Sequence, residues 1–212
     1  MRITKFGHAC VRIEHDGSTI VIDPGVFTDL EAVDGADAVL LTHEHPDHWT
    51  ADHLRRADAP VFTIADVATQ IADAAPDLLE RTTTVAPGES LTVAGVPVEV
   101  VNERHAVIHP DYPRFHNSGY LLDLGGTSVF HPGDALDGPG RPVDVLLLPV
   151  SAPWLKASEC IDFAVGVGAK RNLGIHDAIY SEAGLGFIET HLANFLGPRE
   201  QEYSYLVPGA DL

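Results

Sequence analysis

Short runs of alternating or continuous apolar residues fill the first sixty positions and predict strands more than helices. Residues 2–6, 10–15 and 18–23 read as three strands, and Asp16-Gly17 supplies the turn that joins the last two as a hairpin. Ala38-Val39-Leu40-Leu41 is an apolar run of the fully buried type that stops at Thr42, where a polar cluster begins at once. The period then changes: a helix is expected over about 50–57, a strand at 61–64 and a helix over 65–74. Strand texture returns near 82–85, 90–94, 96–102, 118–124 and 127–131, the last two flanking Gly125-Gly126. The remainder predicts a strand at 143–148, a helix at 157–167, a strand at 172–175 and a helix at 185–196. Two successive halves, each of hairpins followed by β-α units, suit two packed sheets covered on the outside by helices. No linker or repeat divides the chain, so 1–212 is read as one domain of the α/β class. Residues 103–117 form the longest stretch without a pattern, and their two prolines and three histidines point to a binding loop.

Composition narrows the partners. With 45% hydrophobic residues the 212-residue chain can bury one substantial core. Its 13 Lys+Arg against 31 Asp+Glu give a net charge of -18, which disfavours nucleic acid and anionic membranes and leaves a small-molecule substrate as the expected partner. Oligomer formation stays open. Met1-Arg2-Ile3-Thr4-Lys5-Phe6 enters strand pattern directly, without an apolar signal region, and no apolar run approaches the ~20 residues that span a bilayer. A cytoplasmic location is expected. Cys10 and Cys160 lie among apolar neighbours and read as small core residues.

Histidine carries the chemistry. Twelve of them stand beside one Met and two Trp, and imidazole is the commonest metal ligand among side chains. In His43-Glu44-His45-Pro46-Asp47-His48, extended backbone puts His43 and His45 on one side, and Pro46 biases His45 toward that extended form. Asp47 and His48 then turn toward a neighbouring position, an arrangement that suits two cations ~3.5 to 4 Å apart. A His-x-His-x-x-His spacing arises by chance only about 0.04 times in a chain of this histidine content. The plainer alternative is a polar loop in which Asp47 caps a helix starting near Trp49.

The segment resembles the His-x-His-x-Asp-His signature of the metallo-β-lactamase superfamily, and its place after a hydrophobic strand is similar too. The resemblance implies a four-layer αββα sandwich and further ligands downstream. His105, after Val98-Glu99-Val100-Val101, stands where the family's third histidine is expected, with His109 and His116 as competitors. Asp134 in His131-Pro132-Gly133-Asp134 and His176 in Leu173-Gly174-Ile175-His176 stand where a bridging aspartate and a last histidine are expected. The implied set is His43, His45 and His105 on one metal, Asp47, His48 and His176 on the other, and Asp134 between them. The implied cofactor is two divalent ions, Zn2+ first and Mn2+ or Fe2+ as substitutes. Asp23 resembles the family's motif-one aspartate, and His8 in Gly7-His8 is similar to a Gly-His of the group that includes L-ascorbate-6-phosphate lactonase; both are expected to support the ligands. Asp47 and His48 are expected at the reacting atoms, and His109, Tyr112 and His116 against the substrate.

Departures from the pattern narrow the class. Flavodiiron oxidoreductases carry Glu where this chain has His45. Glyoxalase II presents Gly-His-Thr-x-Gly where this chain has Arg104-His105-Ala106, and ribonuclease Z would want a basic arm that a charge of -18 does not suggest. The resemblance therefore implies a lactonase-like hydrolase in which a metal-bridging hydroxide attacks a small ester, lactone or phosphoester. A phosphodiesterase or nuclease of the same fold, and an inactive metal-binding scaffold, are the alternatives.

Overall fold

A computed structural model describes residues 1–212. Strands β1 (Arg2–Gly7), β2 (Cys10–His15) and β3 (Ser18–Ile22) form an antiparallel meander, the β2-β3 hairpin closing with His15 opposite Ser18. β4 (Ala38–Leu40), β5 (Val61–Thr63) and β6 (Thr82–Thr84) continue the sheet in parallel, in the order β1-β2-β3-β4-β5-β6. Helices α1 (Ala51–Ala57) and α2 (Ala65–Ala74) supply the crossovers. The second sheet holds β7 (Ser90–Val93), β8 (Val96–Val101), β9 (Gly119–Asp123), β10 (Ser128–His131), β11 (Val145–Pro149), β12 (Arg171–Ile175) and β13 (Glu202–Ser204). Its order is β13-β12-β11-β10-β9-β8-β7, and α3 (Ala157–Val167) and α4 (Glu182–Leu196) complete its crossovers.

Two-residue alternation explains the layering. Ile20 and Ile22 join Leu40, Val98, Tyr120, Leu122 and Leu147 in a core between the sheets, while Val21 faces outward with Val39 and Leu41 onto Leu54, Val67 and Ile71 of α1 and α2. In the second sheet Leu147 points inward, and Leu146 and Leu148 pack outward on Cys160, Ala164 and Leu192 of α3 and α4. The result is the expected αββα sandwich, with Cys10 and Cys160 as free, buried core residues. No helix is long and apolar enough to cross a membrane.

A buried hydrogen bond crosses the core: the Tyr120 hydroxyl donates to the Leu41 carbonyl at 2.8 Å, at the strand end that feeds His43. Tyr120→Phe removes this donor while the Thr63 hydroxyl still reaches the Leu41 carbonyl at 3.1 Å, so the urea unfolding free energy should fall by only about 0.5–1.5 kcal/mol; an unchanged midpoint would show that the bond contributes nothing.

Several expected elements differ at their ends. The last helix begins at Glu182, three residues earlier than the pattern suggests, because Ser181 caps it by accepting from the Gly184 amide, and Gly184 and Gly186 conceal the helical signal. Thr50, not Asp47, caps α1. The short edge strand β13, at most half-buried, has too little apolar alternation to be seen in the sequence. The 103–117 segment has no helix or strand; an isolated bridge joins Arg104 to His116, and the Ala106 amide donates to the Asp134 carbonyl at 2.7 Å.

Candidate metal centre

The strand ends deliver the polar residues to one place. Asp23 follows β3, His43 follows β4 through Thr42, His105 follows β8, Asp134 follows β10 and His176 follows β12. These residues converge between the two sheets: His43, His48 and His105 are fully buried, and Asp134 and His176 nearly so. One donor atom each of His43, His45, His105 and Asp134 lies within 4.8 Å of the others, and the same holds for His48, Asp134 and His176 and for His8, Asp47 and His176. Asp134 stands between the groups, its Oδ1 3.2 Å from His48 Nε2 and its Oδ2 3.3 Å from His105 Nε2 and 3.2 Å from His176 Nε2.

Hydrogen bonds on the far side of each ring define which nitrogen faces inward. His48 Nδ1 donates to Asp23 Oδ2 at 2.7 Å, His105 Nδ1 to the Ala106 carbonyl at 2.7 Å and His176 Nδ1 to the Ser151 carbonyl at 2.5 Å. The Thr42 hydroxyl donates to Asp23 at 2.6 Å and so accepts from His43 Nδ1 at 3.0 Å. In the neutral rings every inward nitrogen then carries a lone pair. Consistent with this, the Nε2 atoms of His48, His105 and His176 and Asp134 Oδ1 are buried without a hydrogen-bond partner. Close as they are, these atoms are not aligned to bond one another. His43 Nε2, by contrast, lies within hydrogen-bond distance of His45 Nδ1, at 3.0 Å. Convergent, unpartnered nitrogen lone pairs around a carboxylate fit divalent cations, and the imidazole-rich set fits zinc, manganese or iron.

Electrostatics agree. Burial alone would raise the Asp134 carboxyl, but His176 and His48 hold it well below the usual range. Burial lowers His48, yet Asp134 and Asp23 carry it well above the usual imidazole value, and Asp134 and Asp47 lift His176 to about 9 against its own burial. Burial, aided by the neighbouring His48, pushes His43 well below the usual imidazole value. The buried carboxylates demand positive charge, which protons on His48 and His176 or divalent cations can supply.

His8 has a different part. Its Nδ1 accepts from the Ala178 amide at 3.1 Å, so the neutral ring carries its proton on Nε2, which donates to Asp47 Oδ2 at 3.1 Å. His8 therefore orients Asp47 and offers no lone pair inward. Asp23 accepts from Thr42 and His48 and supports both. His109 and His116 lie outside the cluster: His116 pairs with Asp66 of α2 at 2.7 Å, and exposed His109 accepts from the Asp111 amide. Their loop instead sends Phe115 to the centre, its ring 4.7 Å from that of His45.

Other supports left no signal in the sequence. Asn117 accepts from the Asp134 amide at 2.9 Å and donates to the Pro132 carbonyl at 2.8 Å and to Asn102 at 2.9 Å, which clamps the turn that aims Asp134. Gly133 (φ +61) passes so close that a Cβ there would lie 2.3 Å from Asn117 Oδ1, and a Cβ on Gly25 would lie 2.0 Å from the Asp47 carbonyl. The Gly in Asp23-Pro24-Gly25 is thus what lets the β3 end pack against the His43–His48 loop.

Residues 2–176 match the family described as beta-lactamase superfamily domain. The chain is 39% identical over 185 residues to protein Rv0786c of Mycobacterium tuberculosis, covering 84% of this chain and 85% of that protein. It is 31% identical over 189 residues to a UPF0173 metal-dependent hydrolase of Anoxybacillus flavithermus, covering 74% of this chain and 82% of the relative. Among solved structures it is similar to Igni18, a metallo hydrolase from Ignicoccus hospitalis, with a TM-score of 0.76 at 19% identity over 100% of this chain and 97% of the other.

Proposed function

The chain belongs to the beta-lactamase superfamily, and from that premise we propose that it is a metal-dependent hydrolase with a binuclear centre, acting on a small ester, lactone or phosphoester. The observation that carries the reading is the convergence of the Nε2 atoms of His48, His105 and His176, each with its far-side N-H anchored and none hydrogen-bonded. His43, His45 and His105 would hold one cation and Asp47, His48 and His176 the other, with Asp134 shared. Zinc suits the imidazole count best, and manganese or iron can take the same donors. When bound, the cations supply Lewis acidity and an activated water to the site.

The chain's own residues do the rest. Burial would raise the Asp47 carboxyl, but His176, 3.4 Å away, and the hydrogen bond from His8 hold it well below the ordinary range, so it stays ionised and accepts or orients a proton at neutral pH. His45 and Asp47 are the half-buried members, so the substrate approaches on their side. In hydrolysis the water oxygen adds to the carbonyl or phosphoryl centre, the bond to the leaving oxygen breaks, and the water's protons end on Asp47 or solvent and on the leaving group. The charge of -18 argues for a small substrate over a nucleic acid.

Metal stoichiometry tests the assignment. His105→Ala and His176→Ala should each lose one of two metal equivalents, and activity on a panel of lactones, esters and phosphodiesters should fall in both. Two full equivalents in both variants would break the ligand set. Full metal with no turnover on any substrate, after zinc or manganese is restored, would leave a metal-binding scaffold.

A further inference from the structure

Three aromatic rings from three separate loops surround the histidine cluster. Phe27, after β3, lies edge-on to His8 at 5.0 Å; Phe115, in the 103–117 segment, lies 4.7 Å from His45; Trp154, after β11, lies 5.3 Å from His105. Phe27 is half exposed and the other two rings are partly so, so their faces are not spent on the core. Beside Phe115, the same segment encloses an open cavity of about 340 Å³ lined chiefly by Ala106, Val107, Ile108, Tyr112 and two prolines. Its polar lining is His109, which is engaged with Asp111, and Arg114, whose Nε donates to the His105 carbonyl at 2.7 Å. Phe115 is common to the cavity wall and the His45 contact, and Ala106 follows His105, so cavity and cluster adjoin.

Val107, Ile108 and Tyr112 are 53%, 39% and 62% exposed, although a segment with no other task would gain by turning such side chains inward. An apolar recess with few free polar groups next to a polar reaction centre is how a site holds the non-reacting part of a substrate.

We infer that this recess seats an apolar acyl or alkyl group, so that the substrate is an uncharged ester or lactone bearing a hydrocarbon chain and not a phosphorylated one. This rests on the hydrolase reading above and specifies its substrate. Selectivity then comes from Ile108, Tyr112 and Phe115.

A series of p-nitrophenyl esters from acetyl to hexanoyl tests it on the metal-loaded protein. kcat/KM should rise about fourfold per methylene until the recess is filled. Ile108→Ser and Tyr112→Ser should flatten that slope by raising KM for the longer esters, whereas Phe187→Ser, on the outer face of α4, should leave it alone. Calorimetric titration supplies a reading independent of turnover: hexanoate should bind at least tenfold tighter than acetate, with a more negative heat-capacity change. Turnover with a flat series, or a preference for a phosphorylated analogue, would overturn the inference. Tighter hexanoate binding without turnover of any ester would keep the recess and remove the hydrolase reading, so the two failures are distinguishable.

Discussion

Asp134→Ala should lower kcat/KM by on the order of 10³-fold or more, the largest loss expected from any single side chain of this protein. In the proposed assignment each histidine serves one cation, whereas Asp134 faces both: Oδ1 toward His48, Oδ2 toward His105 and His176, with His43 Nε2 3.9 Å away. Its removal takes away a ligand from each proposed cation and the negative charge that faces four imidazoles. Both equivalents should therefore weaken together, unlike the one-at-a-time losses of His105→Ala and His176→Ala. Asp134→Asn keeps the shape and the Asn117 clamp on the amide but drops the charge, and it should recover little. Asp23→Asn provides the contrast, because Asp23 acts through His48 and Thr42, and such supporting contacts are worth only about 10- to 100-fold. Metal analysis and kcat/KM measured on the same samples decide the matter. An Asp134→Ala protein with both metals in place and a tenth of its activity would refute the bridging role.

How much of this was open to reading from sequence depended on distance along the chain. His43 to His48 were legible because extended backbone makes neighbouring positions converge, so the local pattern already contains the local geometry. His105, Asp134 and His176 were placed by their family order, and the fold brings them together because each follows a strand end on the same rim. The layering was legible where alternation is strict, as in Ile20-Val21-Ile22, and blurred where glycine interrupts it, as at the start of α4. Asn102 and Asn117, fifteen residues apart, meet only when the 103–117 segment folds back, and nothing in their surroundings marks the pair. The same fold-back turned His116 to Asp66 and brought Phe115 to His45. A histidine is noticed in a sequence for its chemistry, whereas a phenylalanine beside a polar centre is visible only in three dimensions.

The Lys5-Asp177 pair belongs to this second kind, and Lys5→Met should give the largest loss of stability, about 3 kcal/mol, or roughly 6–12 °C in Tm for a chain of this size. Lys5 is fully buried, and its ammonium donates to Asp177 Oδ2 at 2.5 Å and to the Leu206 carbonyl at 3.1 Å, with the Tyr205 ring 4.5 Å away. Burial pulls the Lys5 pKa down more than the nearby Asp177 pulls it up, so charging this amine costs the folded state more than the ion pair returns. A folded pKa below the unfolded one means that the pair's burden grows as pH falls through that range. The pair is therefore not a net source of stability, and the penalty of Lys5→Met comes from elsewhere: Asp177, 7% exposed and with Oδ1 already unpartnered, is left without its counter-charge. It follows that Lys5→Met/Asp177→Leu should regain most of the loss. What the double variant should not regain is position. Asp177 adjoins His176, whose own amide donates to the His8 carbonyl, and Lys5 ties that turn to β1 and to the C-terminal segment that pairs along it. Urea midpoints near wild type together with a weakened second metal equivalent in the double variant would assign the pair to holding His176 in place. A double variant as unstable as Lys5→Met alone would show that the ion pair itself supports the fold.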